Sequence, residues 1–212
     1  MEKQKESWKS KLENFWYYHK GTCLVALFVI IILSFIATNY TSRLDTDINI
    51  SLVSENILSE ATINFNTIFA DKIEDANGDG EPLITISRLF IGRGNEDNQD
   101  ELNLLEKQLA NKGATLFIVD ALNYERLIKK DAFCPLDEFF SVEDYGDRVC
   151  YRGDVPIAFH LGGSKVLAEM EFVTDDLYAL LLFRREGEEN DPAENAEYRN
   201  AVTILDALMV QE

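Results

Sequence analysis

The chain has 212 residues, 46% of them hydrophobic and 11% aromatic, with 38 acidic against 20 basic residues and a formal charge of −18. The apolar share suffices for a packed core and excludes wholesale disorder. The negative balance excludes nucleic acid and anionic lipid surfaces as natural partners of the soluble part.

The first predicted element is a membrane span. Residues 21–38 (GTCLVALFVIIILSFIAT) run without a charge. As a helix they reach about 27 Å, close to the thickness of a hydrocarbon core of about 30 Å. Phe15, Trp16, Tyr17 and Tyr18 stand before the run and Tyr40 after it, the arrangement of an aromatic belt. Lys3, Lys5, Lys9, Lys11 and Lys20 precede the span, and only Arg43 follows closely. Positive residues stay on the cytoplasmic side, so the N-terminus is expected inside and the remainder outside. A cleaved signal peptide is the competing reading. The leading segment is long for one, and no small-x-small site closes the apolar run. Cys23 sits at the wrong end of the run for a lipoprotein cysteine.

Four stretches result: a basic, aromatic cytoplasmic flank (1–20), a transmembrane anchor (21–38), a linker (39–46) and an acidic extracytoplasmic domain (47–212). Residues 1–40 hold five lysines and three glutamates, a net +2, so the rest carries −20 to give the total of −18. The linker spans at most about 28 Å, which keeps the domain near the membrane.

In the outer domain, residues 47–53 (DINISLV) alternate polar and apolar and read as a half-buried strand. Ile57, Leu58, Ala61, Phe65, Ile68, Phe69 and Ile73 recur at helical spacing, and DANGDG at 75–80 ends that helix. Residues 83–91 (LITISRLFI) are rich in β-formers. Leu102, Leu105 and Leu109 mark a second amphipathic helix closed by Gly113. Residues 115–119 (TLFIV) read as a buried strand, and Asp120 begins a short helix ending near Lys130. This alternation predicts βαβ units and a largely parallel sheet. Residues 155–161 and 177–183 read as further strands, either a separate hairpin or, as the remaining length favours, members of the same sheet. An acidic loop (188–191) precedes a last helix (193–209) with Tyr198, Val202, Leu205 and Met209 on one face.

Two constellations carry chemistry. Asp75, Asn77, Asp79 and Glu81, with Gly80, match the first half of an EF-hand-type loop, in which alternate oxygen ligands converge on calcium. Ile86 stands where the bidentate acid belongs, so a complete loop is excluded. What remains is a weak, partial site at extracellular calcium levels, or simply a glycine-rich turn. No other metal or cofactor is expected. Cys134 and Cys150 are the only cysteines beyond the anchor. An oxidising compartment makes them candidates for a disulfide contributing about 3 kcal/mol in the chain-entropy model. The alternative is two buried free thiols.

Other matches are short. Arg152-Gly153-Asp154 is read as a turn before a strand. Asn39 and Asn49 fit the glycosylation pattern, but lie beside the membrane and inside a predicted strand. Of the two histidines, His19 flanks the anchor, and His160, in an apolar strand, is read as a satisfied core residue. No nucleophile elbow, phosphate loop or dinucleotide fingerprint appears. No catalytic residue is therefore assigned, and the chain is not read as an enzyme.

Residues 115–140 (TLFIVDALNYERLIKKDAFCPLDEFF) resemble the extracellular solute-binding proteins of bacterial ABC transporters. These often carry a strand, an acidic or small residue, a helix and a Pro-Leu-Asp-Glu ending, here at Pro135 to Glu138. The strand, Asn190-Asp191-Pro192 and final helix look like their C-terminal ending, and the anchor with FWYYHK resembles a group of uncharacterised single-pass proteins from Firmicutes. The resemblance implies an α/β domain of periplasmic-binding-lobe type, with a mainly parallel or mixed sheet flanked by helices. Full binding proteins close two lobes on a ligand, whereas this chain has room for about one, so no ligand-binding residue carries over. The expected function is a membrane-anchored interaction or accessory module with a protein partner at the outer membrane face. The alternative is a reduced solute-binding protein that serves a transporter and takes a small-molecule ligand.

Overall fold

The computed structural model describes residues 8–41, 46–55, 64–93, 99–170, 176–183 and 192–210. The chain divides into two units, Met1–Leu44 and Asp45–Glu212.

The first unit contains one long helix, α1, Trp8–Thr41. Its 34 residues rise about 51 Å. Within it, Phe15–Ser34 is long and apolar enough to cross a membrane. Leu24, Val25, Leu27, Phe28, Ile30 and Ile31 are each more than half exposed. A core helix buries such side chains against protein; this stretch is apolar on every side and buries none of them.

The second unit is a three-layer α/β domain. Its strands are β1 (Ile48–Ser54), β2 (Ile84–Phe90), β3 (Leu116–Asp120), β4 (Val149–Arg152), β5 (Val155–His160) and β6 (Leu177–Leu181). Its helices are α2 (Asn64–Phe69), α3 (Gln99–Asn111), α4 (Ala121–Leu127), α5 (Lys165–Glu169) and α6 (Pro192–Leu208). The strands form one six-stranded sheet in the order β2-β1-β3-β6-β5-β4. β1 pairs in parallel with β2, Ile48 opposite Ile84, and with β3, Ile50 opposite Leu116. β6 is antiparallel to β3 and to β5, and β4 is antiparallel to β5. β1, β2, β3 and β5 thus run one way and β4 and β6 the other. The second-half strands join the first sheet, but the sheet is mixed rather than largely parallel.

Side chains alternate across a sheet. Ile48, Ile50, Leu52, Leu116, Ile118, Leu177, Ala179 and Leu181 face one core, shared with Phe65 and Phe69 of α2, Leu167 of α5 and Tyr198, Ile204 and Leu205 of α6. Val53, Leu89, Phe117, Val119 and Leu180 face the other, under Leu105 of α3 and Leu127 of α4. Because both faces are covered, β1 is buried at six of its seven positions instead of half-buried. The polar side of its sequence pattern survives as a closed network. Ser51 donates to Gln108 Oε1 at 2.8 Å, and Gln108 Nε2 donates to Ser87 Oγ at 2.6 Å.

Several boundaries differ from the sequence pattern. The first predicted helix is described only as α2; Ile57, Leu58 and Ala61 lie outside the described residues. α2 ends at Phe69, where Lys72 and Ile73 both donate to the Phe69 carbonyl, and Ile73 enters the core from this turn. α3 stops at Asn111, and Lys112, not Gly113, takes the left-handed conformation (φ 52°). Gly113 packs closely instead: a Cβ there would lie 3.1 Å from Gln108 Cγ, tighter than ordinary contact. β4, α5 and the 3₁₀ turns Leu136–Glu138 and Val142–Arg148 have no counterpart among the predicted elements. Arg152-Gly153-Asp154 is the turn joining β4 to β5, with Gly153 at φ 63°. The acidic loop 188–191 lies outside the described residues.

Candidate functional site at the carboxyl edge of the sheet

The connection from β1 to β2 carries α2 on one face, and that from β2 to β3 carries α3 on the other. β1 therefore lies between two crossovers that diverge, and the carboxyl ends of β1 and β3 flank a topological switch point. In open α/β sheets this is where ligands bind.

Asp120 occupies that point. It ends β3 and caps α4: its Oδ1 accepts the Asn123 main-chain N–H at 2.9 Å. Its Oδ2 accepts the Glu55 N–H at 2.6 Å, across to the end of β1. The fully buried Asn123 side chain donates to Asp120 Oδ1 at 2.9 Å and to the Ile91 carbonyl, just past β2, at 3.0 Å. Asn123 Oδ1 accepts from Arg126 Nη1 at 2.8 Å. One carboxylate and one amide thus tie the ends of three parallel strands together. Arg93 lies at 4.0 Å from Glu55, in an exposed pairing that contributes little.

The same edge continues across β6 and β5. Tyr124 of α4 stacks on Tyr178 of β6, with centroids 4.2 Å apart and planes at 11°. The His160 ring lies 5.0 Å from that of Tyr178, tilted by 48°. His160 is half-buried rather than a satisfied core residue. Its Nε2 atom is itself buried and comes to 3.5 Å from Asp176 Oδ1 without making a hydrogen bond. Burial first, then the neighbouring Cys150, raises the Tyr124 phenol. Burial also raises Tyr178, with Cys150, Asp176 and Glu125 adding to it. The Cys150 thiol is raised by burial as well, against hydrogen bonds from the Tyr124 hydroxyl and the His160 main chain. A raised thiol stays protonated at neutral pH, the reverse of what an activated nucleophile needs.

The expected calcium residues form the loop before β2. Asp75 Oδ1 accepts from Gly78 and Asp79 N–H, at 2.6 and 3.2 Å, and its Oδ2 accepts from Gly80 N–H at 2.7 Å. Asn77 Oδ1 accepts from Asp79 N–H, and Asp79 Oδ1 from Glu81 N–H, each at 2.8 Å. These side chains hold the turn itself. The loop is anchored from below by Asp47, fully buried, which accepts from Ala76, Asn77 and Leu83 N–H. Among the described residues no group of three or more His, Cys, Asp or Glu side chains is placed to share a metal ion.

The expected Cys134–Cys150 bridge is corrected by the fold: both are free thiols. Cys134 packs in the core shared with α2 and α6, and its thiol donates to the Leu182 carbonyl at 3.1 Å. Cys150 packs against the core on the other face. The sheet separates them.

The sequence pattern identified Asp120 only as a helix start, and passed over Asn123, Tyr124, Asp176 and Tyr178. The Asp-x-x-Asn pair on a strand-to-helix turn was the signal available for the first two. Comparison with protein-family models, with curated proteins and with solved structures found no match. The fold defines an α/β domain with a six-stranded mixed sheet flanked by helices, together with one N-terminal apolar helix fit for a membrane span.

Proposed function

We propose that the chain is a single-pass membrane protein, N-terminus in the cytoplasm, whose acidic α/β domain acts outside as an interaction or accessory module for a protein partner. The apolar surface of Phe15–Ser34 carries the reading. A predominantly apolar stretch of 20 residues, exposed around a helix, demands a covering, and lipid is the covering that its length matches. The lysines before the span set the orientation, and the −20 charge of the remainder favours a protein partner over lipid or nucleic acid.

A second reading, one lobe of a solute-binding protein, draws support from the parallel β2-β1-β3 group with an antiparallel strand beside β3. The switch-point groups Asp120 and Asn123 already satisfy each other there, so a ligand needs a second wall from elsewhere.

Alkaline extraction and protease treatment of spheroplasts test the main reading. The full chain should stay in the membrane pellet, and external protease should remove the domain after Tyr40. A domain protected in intact spheroplasts reverses the orientation. Calorimetry separates the two readings: the monomeric 45–212 unit should bind no sugar, amino acid or peptide more tightly than about 0.1 mM, as expected of a half-exposed site. A micromolar small-molecule ligand on a proven monomer promotes the solute-binding reading.

A further inference from the structure

The rim beside the switch point joins aromatic faces to acid. Tyr124, Tyr178 and His160 are each partly exposed and in ring contact in series. Glu125, next to Tyr124 on α4, is exposed, and the Asp176 side chain is 75% exposed. The arginines on α4 and β4 are committed elsewhere. Arg126 donates to Asn123, and Arg152 to the Lys130 carbonyl and Asp131. Tyr178 lies between the other two rings, so the outer rings of the series, with carboxylates at their margin, are what attracts a cation, by quadrupole and by charge. Arginine suits it best, because a guanidinium is weakly hydrated, stacks on rings and pairs with carboxylates.

Building on the interaction reading above, we propose that the face formed by Tyr124, Tyr178 and His160, flanked by Glu125 and Asp176, docks arginine or lysine side chains of a basic segment of a protein partner. Burial is the main cause that raises the Tyr178 phenol, and Asp176 and Glu125, both near enough to add to it, lie on the acidic margin of the ring series. The −20 charge of the outer part supplies long-range attraction for such a segment. The rings then distinguish this rim from the rest of an acidic surface.

The probe is a short peptide of Gly-Ser-Arg repeats, titrated onto the full chain in detergent micelles at about 0.15 M salt, where diffuse attraction is screened beyond about 8 Å. Tyr178→Leu, and separately Glu125→Gln with Asp176→Asn, should each weaken binding by about fivefold or more. Tyr178→Phe keeps the ring and should bind within about twofold of the original chain. Asp137→Asn with Glu138→Gln removes the same charge at the 3₁₀ turn whose Leu136 packs on the other face of the sheet, and should change binding by less than about twofold. Unchanged melting temperatures exclude misfolding. Equal losses at both acidic pairs, unchanged binding in Tyr178→Leu, or no binding by the original chain overturns the proposal. Membrane extraction of the same protein reports on the anchor separately, so failure of the rim and failure of the membrane reading are distinguishable.

Discussion

The side-chain amide of Asn200 in α6 donates to the main-chain oxygen of Asp47, at the entry to β1, over 3.3 Å and 153 positions of sequence. The same side chain donates to the Glu74 carbonyl at 2.8 Å and accepts its N–H at 2.6 Å. Asn200 and Asp47 are both fully buried. One amide therefore closes the last helix onto the first strand and onto the loop before β2.

Asn200→Ala removes the partner of the buried Asp47 carbonyl and of the part-buried Glu74 N–H and carbonyl. The expected loss is about 3 kcal/mol, the scale of unpaired buried polar groups. Urea denaturation of the 45–212 unit measures it. A loss under about 1 kcal/mol would show that water replaces the amide.

Glu74 also pairs with Arg199, Oε1 to Nε at 2.9 Å and Oε2 to Nη2 at 2.7 Å. The Arg199 hydrogen bond holds the Glu74 carboxyl below its ordinary range, against a smaller opposing effect of burial. A depressed carboxylate contributes stability above its unfolded value, and that contribution disappears as pH falls through the folded value. Both side chains are about half exposed, so solvent screens the pair and the effect is small. The melting-temperature difference between the original protein and Glu74→Gln should shrink from about pH 6 to about pH 3. A difference that stays constant over that range would remove the pair from the acid response.

Tyr145 donates to Asp206 Oδ1 at 2.7 Å. Burial, then this bond, pushes its phenol up to about 12. A raised phenol stabilises the fold below its unfolded value and loses that contribution as pH rises through the folded one. In a phenolate absorbance titration, Tyr145→Phe should delete one late-titrating tyrosine and leave the early ones unchanged. Asp206→Asn should move the same tyrosine to lower pH. Deletion of an early-titrating tyrosine by Tyr145→Phe contradicts the assignment.

The cysteines give a chemical readout. With both on opposite faces of the sheet, the unfolded chain alkylated without reductant should take up label at Cys23, Cys134 and Cys150. In the native protein Cys134, 2% exposed, should be protected, and Cys150 should react slowly because burial keeps its thiol protonated. Recovery of a Cys134–Cys150 peptide pair would restore the bridge that the compartment argument anticipated.

Features with a local cause were legible in the amino-acid order. The uncharged run of α1 needs only length and composition. Asp120 before α4 needs only a short acceptor placed to reach the Asn123 N–H. The turn at Gly153 needs only a residue free to take positive φ. Short runs of β-forming and apolar residues located β2, β3, β5 and β6 to within a few residues, because strand preference is set by neighbours in sequence.

What the tertiary structure decided was every pairing between distant residues. Alternation is the same in a strand read in either direction, so nothing in residues 177–181 specifies that β6 runs antiparallel beside β3. The compartment argument brought Cys134 and Cys150 together, but the sheet between them keeps them apart. Composition shows that Tyr124, His160, Asp176 and Tyr178 are present. Only the docking of α4 over β6, and of β5 beside it, gathers them at one rim. Local preference is set by chain geometry within a few residues, whereas which elements meet is set by the burial of whole faces, which the complete fold alone determines.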